Sequence, residues 1–418
     1  MAPPQFYDPA SPDEQPVALP SAPAVALAEG IIIQPPLTRR GTGPGLIVFV
    51  PPESSLDLSN KTGDEKPLDP PPVQKWAEEG FAVVGITTGH VDIVECLKKA
   101  VDGLLALEEL DTREKFAVAG ADPLSLLCLK ISHRKSPVYD PAALDEIVLA
   151  LSSDSRFACL VVYGSCPSGT VPIPTLALVP CGSSVTSKTS LSVFKVDSGA
   201  PHFSLPQSNE FESSSASIAH SKAAVHIKKY LRGPYFDLEA IWEEHTYFEF
   251  EVRSVAKTMG TMVAEPYVNH VPTLAGGVGR KNLTAFYRDH FVFNNPDDTR
   301  LQTISRTVGT DRVVDEFVFH ATHNKQIDWL LPGVPPTGKK LAIPMMGVIN
   351  IRGDRLYHEH IWWDQGTACL QAGIIPTHVP FEGKTLRLPI AGVESATLLC
   401  DERSVPANEM LGPAYGIV

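Results

Sequence analysis

The sequence predicts two domains: an α/β domain built on a parallel sheet over residues 41–231, and an α+β domain over residues 235–375. Two observations carry this reading. Before residue 231 the strand-like stretches are apolar throughout and alternate with helical periodicity, as strands covered on both faces do. After residue 235 helical stretches come first and long strands follow, the last two separated by a Gly353-Asp354 turn signal. A chain of 418 residues has room for both cores.

In order, residues 1–40 are rich in Pro and Ala and predict an arm that is extended on the surface or partly disordered. GLIVFVPP from position 45 is a buried strand stopped by prolines, and residues 53–70 read as loop. A helix over 73–79, a strand at FAVVGIT from position 81 and a helix over 92–109 follow, the last with an apolar stripe through Val94, Leu97, Val101 and Leu104. KFAVAG from position 115 is the next strand, then a helix over 124–132, strands over 157–163, 175–179 and 191–196, and a helix over 218–231. Residues 235–263 predict one or two helices, and 282–290 a short one. Long strands are expected over 300–310, 312–323, 340–351 and 356–363, and the proline-rich residues 376–418 as a tail wrapping the second domain.

Composition narrows the function. A net charge of −13 lacks the Lys/Arg excess a nucleic-acid surface needs. No run of about 18 apolar residues predicts a membrane span. The first residues show neither a basic nor an apolar leader region, and the seven cysteines are scattered without CxxC spacing. The expectation is a cytoplasmic protein with reduced thiols. No GxGxxG or P-loop motif appears, and Gly276-Gly277-Val278-Gly279 follows no recognisable strand.

QKWAEEGFAVVGIT, EKFAVAGADPLSLL and VDSGAPHFSLP resemble the dienelactone hydrolase branch of the α/β-hydrolases. That family places a Cys on the sharp turn after the second of these stretches, followed along the chain by an Asp and a His. Here the nucleophile position holds Asp122, followed by Pro123 and Leu124, and PCGSSVTS after residue 179 carries no acid. Only His202, in GAPHF, matches. One reading makes Asp122 an ester-forming nucleophile with His202 as base. The expected reading is a degenerate site in a domain that keeps its fold, because a triad acts as a unit.

Residues 235–375 resemble the SnoaL-like, or nuclear transport factor 2-like, family through EPYVNHVPTLAGGVGRKNLTAFY, LLPGVPPTGKKLAIPMMGVINIRGDRL and HEHIWWDQGTACLQAG. The resemblance implies a cone, a curved sheet wrapped around helices with a deep apolar cavity, and activities such as polyketide cyclisation, isomerisation or epoxide hydrolysis. It places the acid/base aspartate at Asp364, which also reads as a helix N-cap, with His270, Asp328 and His360 as assisting groups. Tyr267, Asn269, Tyr287, His323, Trp329 and Trp362 are implied substrate contacts. Strand alternation separates His358, His360 and Trp362 from Tyr357, Glu359 and Trp363, and leaves open which set faces inward. Tyr267-x-Asn269 with Asp328 and Asp364 also matches the limonene epoxide hydrolase pattern, except that its arginine is Gln326 here, with Arg312 or Arg352 as substitutes.

The expected function is a cofactor-independent acid/base enzyme that cyclises, isomerises or dehydrates a hydrophobic polyketide- or terpenoid-like intermediate. A homodimer pairing through the open sheet face is implied, and neither metal nor cofactor is expected. The alternatives are hydrolysis, of an epoxide in the cone or a lactone or ester in the first domain, and a non-catalytic ligand-binding or dimerisation protein.

Overall fold

The structure is a computed structural model that describes residues 4–52, 56, 67–88, 92–121, 148, 150–167, 169–185, 190–413 and 415–417. Asp122 and the helix expected over 124–132 lie outside the described residues. The chain forms two compact units, residues 20–236 and residues 1–19 with 237–418.

The first unit is a mixed eight-stranded sheet. Its strands are β1 Val25–Ala28, β2 Ile31–Gln34, β3 Gly43–Val50, β4 Ala82–Thr87, β5 Leu110–Ala121, β6 Phe157–Tyr163, β7 Thr175–Pro180 and β8 Leu191–Val196. They lie in the order β1-β2-β4-β3-β5-β6-β7-β8. Strands β4 through β8 run parallel, and β1 and β2 add antiparallel at one edge. The apolar runs work as both faces of this sheet. Ile47, Phe49, Val84 and Val118 pack with Leu97, Val101 and Leu104 of helix α2 (Ile93–Ala106), which follows α1 (Pro72–Glu78). Leu46, Val48, Val83 and Ala117 pack on the other side with Trp76 of α1 and Ala223 and Ile227 of α3 (Ser213–Leu231).

The extended arm expected over residues 1–40 is corrected over residues 25–34. Residues 25–34 form a hairpin that pairs with β4, because Ile31 and Ile33 are buried beside Ile86 and Leu97.

The second unit carries helix α4 (Leu238–Tyr247), a π-helical turn Phe248–Val252 and α5 (Val255–Gly260). Strands β9 Met262–His270 and β10 Ala275–Val278 follow, then α6 (Gly279–Phe286) and a second π-helical turn, Tyr287–Phe291. The meander β11 Arg300–Val308, β12 Arg312–Thr322, β13 Lys340–Arg352 and β14 Arg355–Trp363 completes a six-stranded sheet in the order β10-β9-β14-β13-β12-β11. Strand β9, absent from the sequence expectation, pairs parallel with β14. Pro266 interrupts its pattern, and its partner lies some 90 residues on, so no local signal marks it. Gly276 and Gly277 therefore do follow a strand, and their role is close approach. A Cβ on Gly276, at φ 146°, would stand 2.0 Å from the Val268 carbonyl oxygen.

After β14 comes α7 (Gln365–Gln371), and the tail holds a hairpin, His378–Phe381 with Lys384–Arg387, and helix α8 (Glu394–Cys400). Among the described residues no helix is long and apolar enough to cross a membrane.

Candidate active site

The concave face of the second sheet decides which side chains meet. Across the parallel pair, Glu359 stands opposite Val268 and Ile361 opposite His270, and all four line one pocket. The alternate residues, Tyr267 and Asn269 on β9 and His358, His360 and Trp362 on β14, therefore point to the convex face. The pocket encloses about 440 Å³, its mouth included, between walls formed by Trp242, Phe250, Phe291, Phe317, Phe319 and Trp329. Its polar lining is Glu249, His270, Tyr287 and Glu359, with Thr246 nearby.

Behind that lining sits His245. It is 0% exposed, and Glu249 and Glu359 are each 3% exposed, so the three form a fully desolvated group. His245 and Glu249 are one turn apart at i and i+4, across the passage from α4 into the π-helical turn, a backbone irregularity that often marks functional positions. His245 Nε2 lies 3.1 Å from a Glu249 carboxylate oxygen, 3.0 Å from one of Glu359 and 3.3 Å from the Tyr287 hydroxyl. The Tyr287 hydroxyl donates to Glu359 at 3.3 Å.

The tautomer of His245 follows from its other nitrogen. The Thr261 hydroxyl donates its one proton to the Thr258 carbonyl, 2.7 Å away, because that oxygen only accepts. His245 Nδ1, 2.6 Å from the same hydroxyl, must therefore be the donor. Nε2 is left facing two carboxylates.

Electrostatics match this arrangement. Burial alone would discharge the His245 ring, but the charges of Glu249 and Glu359 outweigh it and push its pKa up to about 10. Burial pushes Glu249 upward, against the pull of His245. Burial, with Glu359 and Glu249 alongside, holds the Tyr287 phenol well above its ordinary value, so it stays a proton donor. His270 goes the other way: burial among Phe286, Phe291, Trp329 and Trp363 lowers it to about 4, and it is a neutral imidazole whose Nδ1 donates to the Ala275 carbonyl.

The residues named from sequence divide accordingly. His270, Tyr287 and Trp329 line the pocket. Asp364 does not, which corrects its expected place at the bottom of the cone. Trp363 ends β14 pointing inward, so Asp364 turns outward, is exposed, and accepts from the Thr367 N–H as the N-cap of α7. Asp328 is held outside the lining by His290 and Asn294, each at 3.1 Å. His360 hydrogen-bonds Tyr267 at 2.7 Å on the convex face, where Asn269 and the 49%-exposed Trp362 also stand. His323 is buried against Thr337, away from the pocket.

Sequence reasoning missed His245 and Glu249 and left Glu359 on a face of undecided direction. The available signal was the His-x-x-x-Glu spacing in a helical stretch, EEHTYFEF.

In the first unit, His202 Nδ1 lies 3.0 Å from Glu210, a carboxylate partner from a different stretch than the one the hydrolase resemblance indicates. A separate pocket at the carboxyl ends of β3 and β5 is lined by Lys75, Gly120, Tyr163 and His220, but not by His202. Its charged groups are already engaged, Lys75 with Asp69 and His220 with Glu79.

Residues 245–359 match the family model of the SnoaL-like domain. The span runs from His245 to Glu359, the first and last members of the buried cluster. Among solved structures, a putative SnoaL-like polyketide cyclase from Jannaschia sp. CCS1 is 16% identical, with 34% of this chain and 99% of that one covered and a TM-score of 0.27. AclR, a putative hydroxylase from Streptomyces galilaeus, is 15% identical over 34% of this chain and 87% of its own, with a TM-score of 0.28. A hypothetical protein with a ketosteroid isomerase-like fold from Catenulispora acidiphila DSM 44928 is 15% identical over 32% and 93%, with a TM-score of 0.26. No curated protein matches the chain.

Proposed function

We propose that the second unit is a cofactor-independent isomerase or cyclase that moves protons on a hydrophobic, carbonyl-bearing substrate of polyketide type. One observation carries this reading: an aromatic pocket opens onto a desolvated pair of carboxylates, a phenol and two imidazoles, with no Lys or Arg hydrogen-bonded or ion-paired to either carboxylate among the described residues. The match of residues 245–359 to the SnoaL-like domain supports it.

In this reading Glu359 takes a proton from the carbon next to the substrate carbonyl. The electron pair moves onto the carbonyl oxygen, and the Tyr287 hydroxyl, which donates to Glu359 while that carboxylate is ionised, turns its one proton to the enolate oxygen once Glu359 is protonated. The proton then returns at a second carbon, which gives an isomer, or the enolate carbon attacks a second carbonyl of the same molecule, whose π bond breaks and whose oxygen takes the proton from Glu359, which closes a ring. His245 touches no substrate; it positions the two carboxylates. His270, neutral, accepts a hydrogen bond from a substrate hydroxyl through Nε2. The aromatic walls select flat, apolar rings.

The test is turnover of a panel of polyketide-type, ketosteroid-type and epoxide substrates by the full chain and by Glu359→Gln and Tyr287→Phe. Glu359→Gln is expected to lose about 10²- to 10⁴-fold in kcat. Tyr287→Phe is expected to lose about 10²-fold, largely in kcat. Unchanged turnover in Glu359→Gln would sink the assignment.

A further inference from the structure

We propose that His245, Glu249 and Glu359 also form a binding site for a divalent transition-metal cation. This goes beyond the acid–base reading of the same pocket; the site itself stands on geometry, and only the inhibitory effect rests on that reading.

Two features argue for a cation. The ligand atoms converge: one from each of the three residues, all within 4.8 Å of one another, and all three residues buried. The imidazole is oriented for it, since Nδ1 donates to Thr261 and turns the Nε2 lone pair toward both carboxylates. An outer partner of this kind fixes the tautomer of metal-binding histidines.

The donor set is one nitrogen and two carboxylate oxygens, which suits zinc, cobalt, iron(II) or manganese rather than a soft copper(I) site. With metal bound, Glu359 gives one carboxylate oxygen to the cation, whose charge makes the carboxylate a weaker base. The metal-loaded form is therefore the less active one, and zinc acts as an inhibitor.

The experiment is titration of the full chain with Co²⁺, read by its visible d–d absorption, followed by displacement with Zn²⁺. The variants are Glu249→Gln, Glu359→Gln and, for the histidine pair on the convex face, His360→Gln, each checked by circular dichroism. One Co²⁺ per chain is expected. Binding should weaken by at least about 100-fold in both glutamine variants of the glutamates, since even an outer-shell partner is worth about 10- to 100-fold. It should be unchanged in His360→Gln. No spectrum, or a spectrum lost in His360→Gln and kept in Glu359→Gln, overturns the site. Glu249→Gln alone decides the matter if Glu359→Gln fails to fold. Loss of turnover in Glu359→Gln without any Co²⁺ spectrum leaves the acid–base reading standing and removes the metal. Co²⁺ binding that raises turnover keeps the site and overturns both its inhibitory role and the acid–base reading.

Discussion

Asp364 and Glu359 are five residues apart on one strand-and-cap segment, and their surroundings assign them opposite tasks. Glu359 is buried against His245 and Tyr287. Asp364 is exposed and caps α7. Asparagine caps a helix about as well as aspartate. Asp364→Asn is therefore expected to keep full turnover and to change stability by less than about 0.5 kcal/mol, measured by steady-state rates beside a denaturant melt. A large loss of kcat in Asp364→Asn would return the chemistry to the end of the strand and away from the buried cluster.

Between helices, the clearest dependency is in the first unit. Glu79 caps the end of α1, and it is 1% exposed. Lys228 of α3 reaches it at 3.1 Å and His220 of α3 at 2.9 Å, which ties both helices to the same face of the sheet. Burial alone would raise the Glu79 carboxyl, but the Lys228 charge and the His220 hydrogen bond overcome it and hold it well below the ordinary carboxylate range. A carboxyl depressed on folding stabilises above its unfolded pKa of about 4.3, and that contribution fades as pH falls below this value toward the folded one. Melts of this unit between pH 6 and about pH 3 should show a falling midpoint. Glu79→Gln should flatten that slope and cost about 3 kcal/mol at neutral pH, because Lys228 is left buried without its partner. An equal slope in wild type and variant would refute this account.

Over the whole molecule, the chain's first residues belong with residues 237–418. Residues 1–19 sit in the unit that begins at residue 237. Glu14 accepts from the Val255 and Ala256 N–H groups, each at 2.9 Å, and so caps α5 from 241 positions away. Lys257 pairs with Asp13 at 2.6 Å, and the Ser254 hydroxyl donates to the Asp13 carbonyl. Glu14→Ala strands those two N–H groups and should lower the stability of this unit by about 2 kcal/mol. The transition assigned to residues 20–236 should not move. Hydrogen exchange at Val255 and Ala256 would read the change locally, and unaltered protection there would refute the cap.

Wherever a physical signal is local, the amino-acid sequence determined the outcome by itself. Apolar runs such as LIVFV and FAVVGI placed the buried strands, and the 3.6-residue stripe through Leu97, Val101 and Leu104 placed α2. The long strands of the meander and the Gly353-Asp354 turn were legible in the same way. His270, Tyr287 and Trp329 were named through resemblance alone, and the fold places them along the pocket. Tertiary structure decided the rest, because the deciding contacts join distant segments. A one-residue difference in phase chooses between Glu359 and His360 for the interior, and that phase is set by β9 pairing with β14 rather than by β14 alone. His245 and Glu249 acquire meaning only when a strand more than 100 residues later brings Glu359 within 3.0 Å of the imidazole. A buried charge cluster has no signature in composition, since desolvation belongs to the folded packing and not to any stretch of the chain.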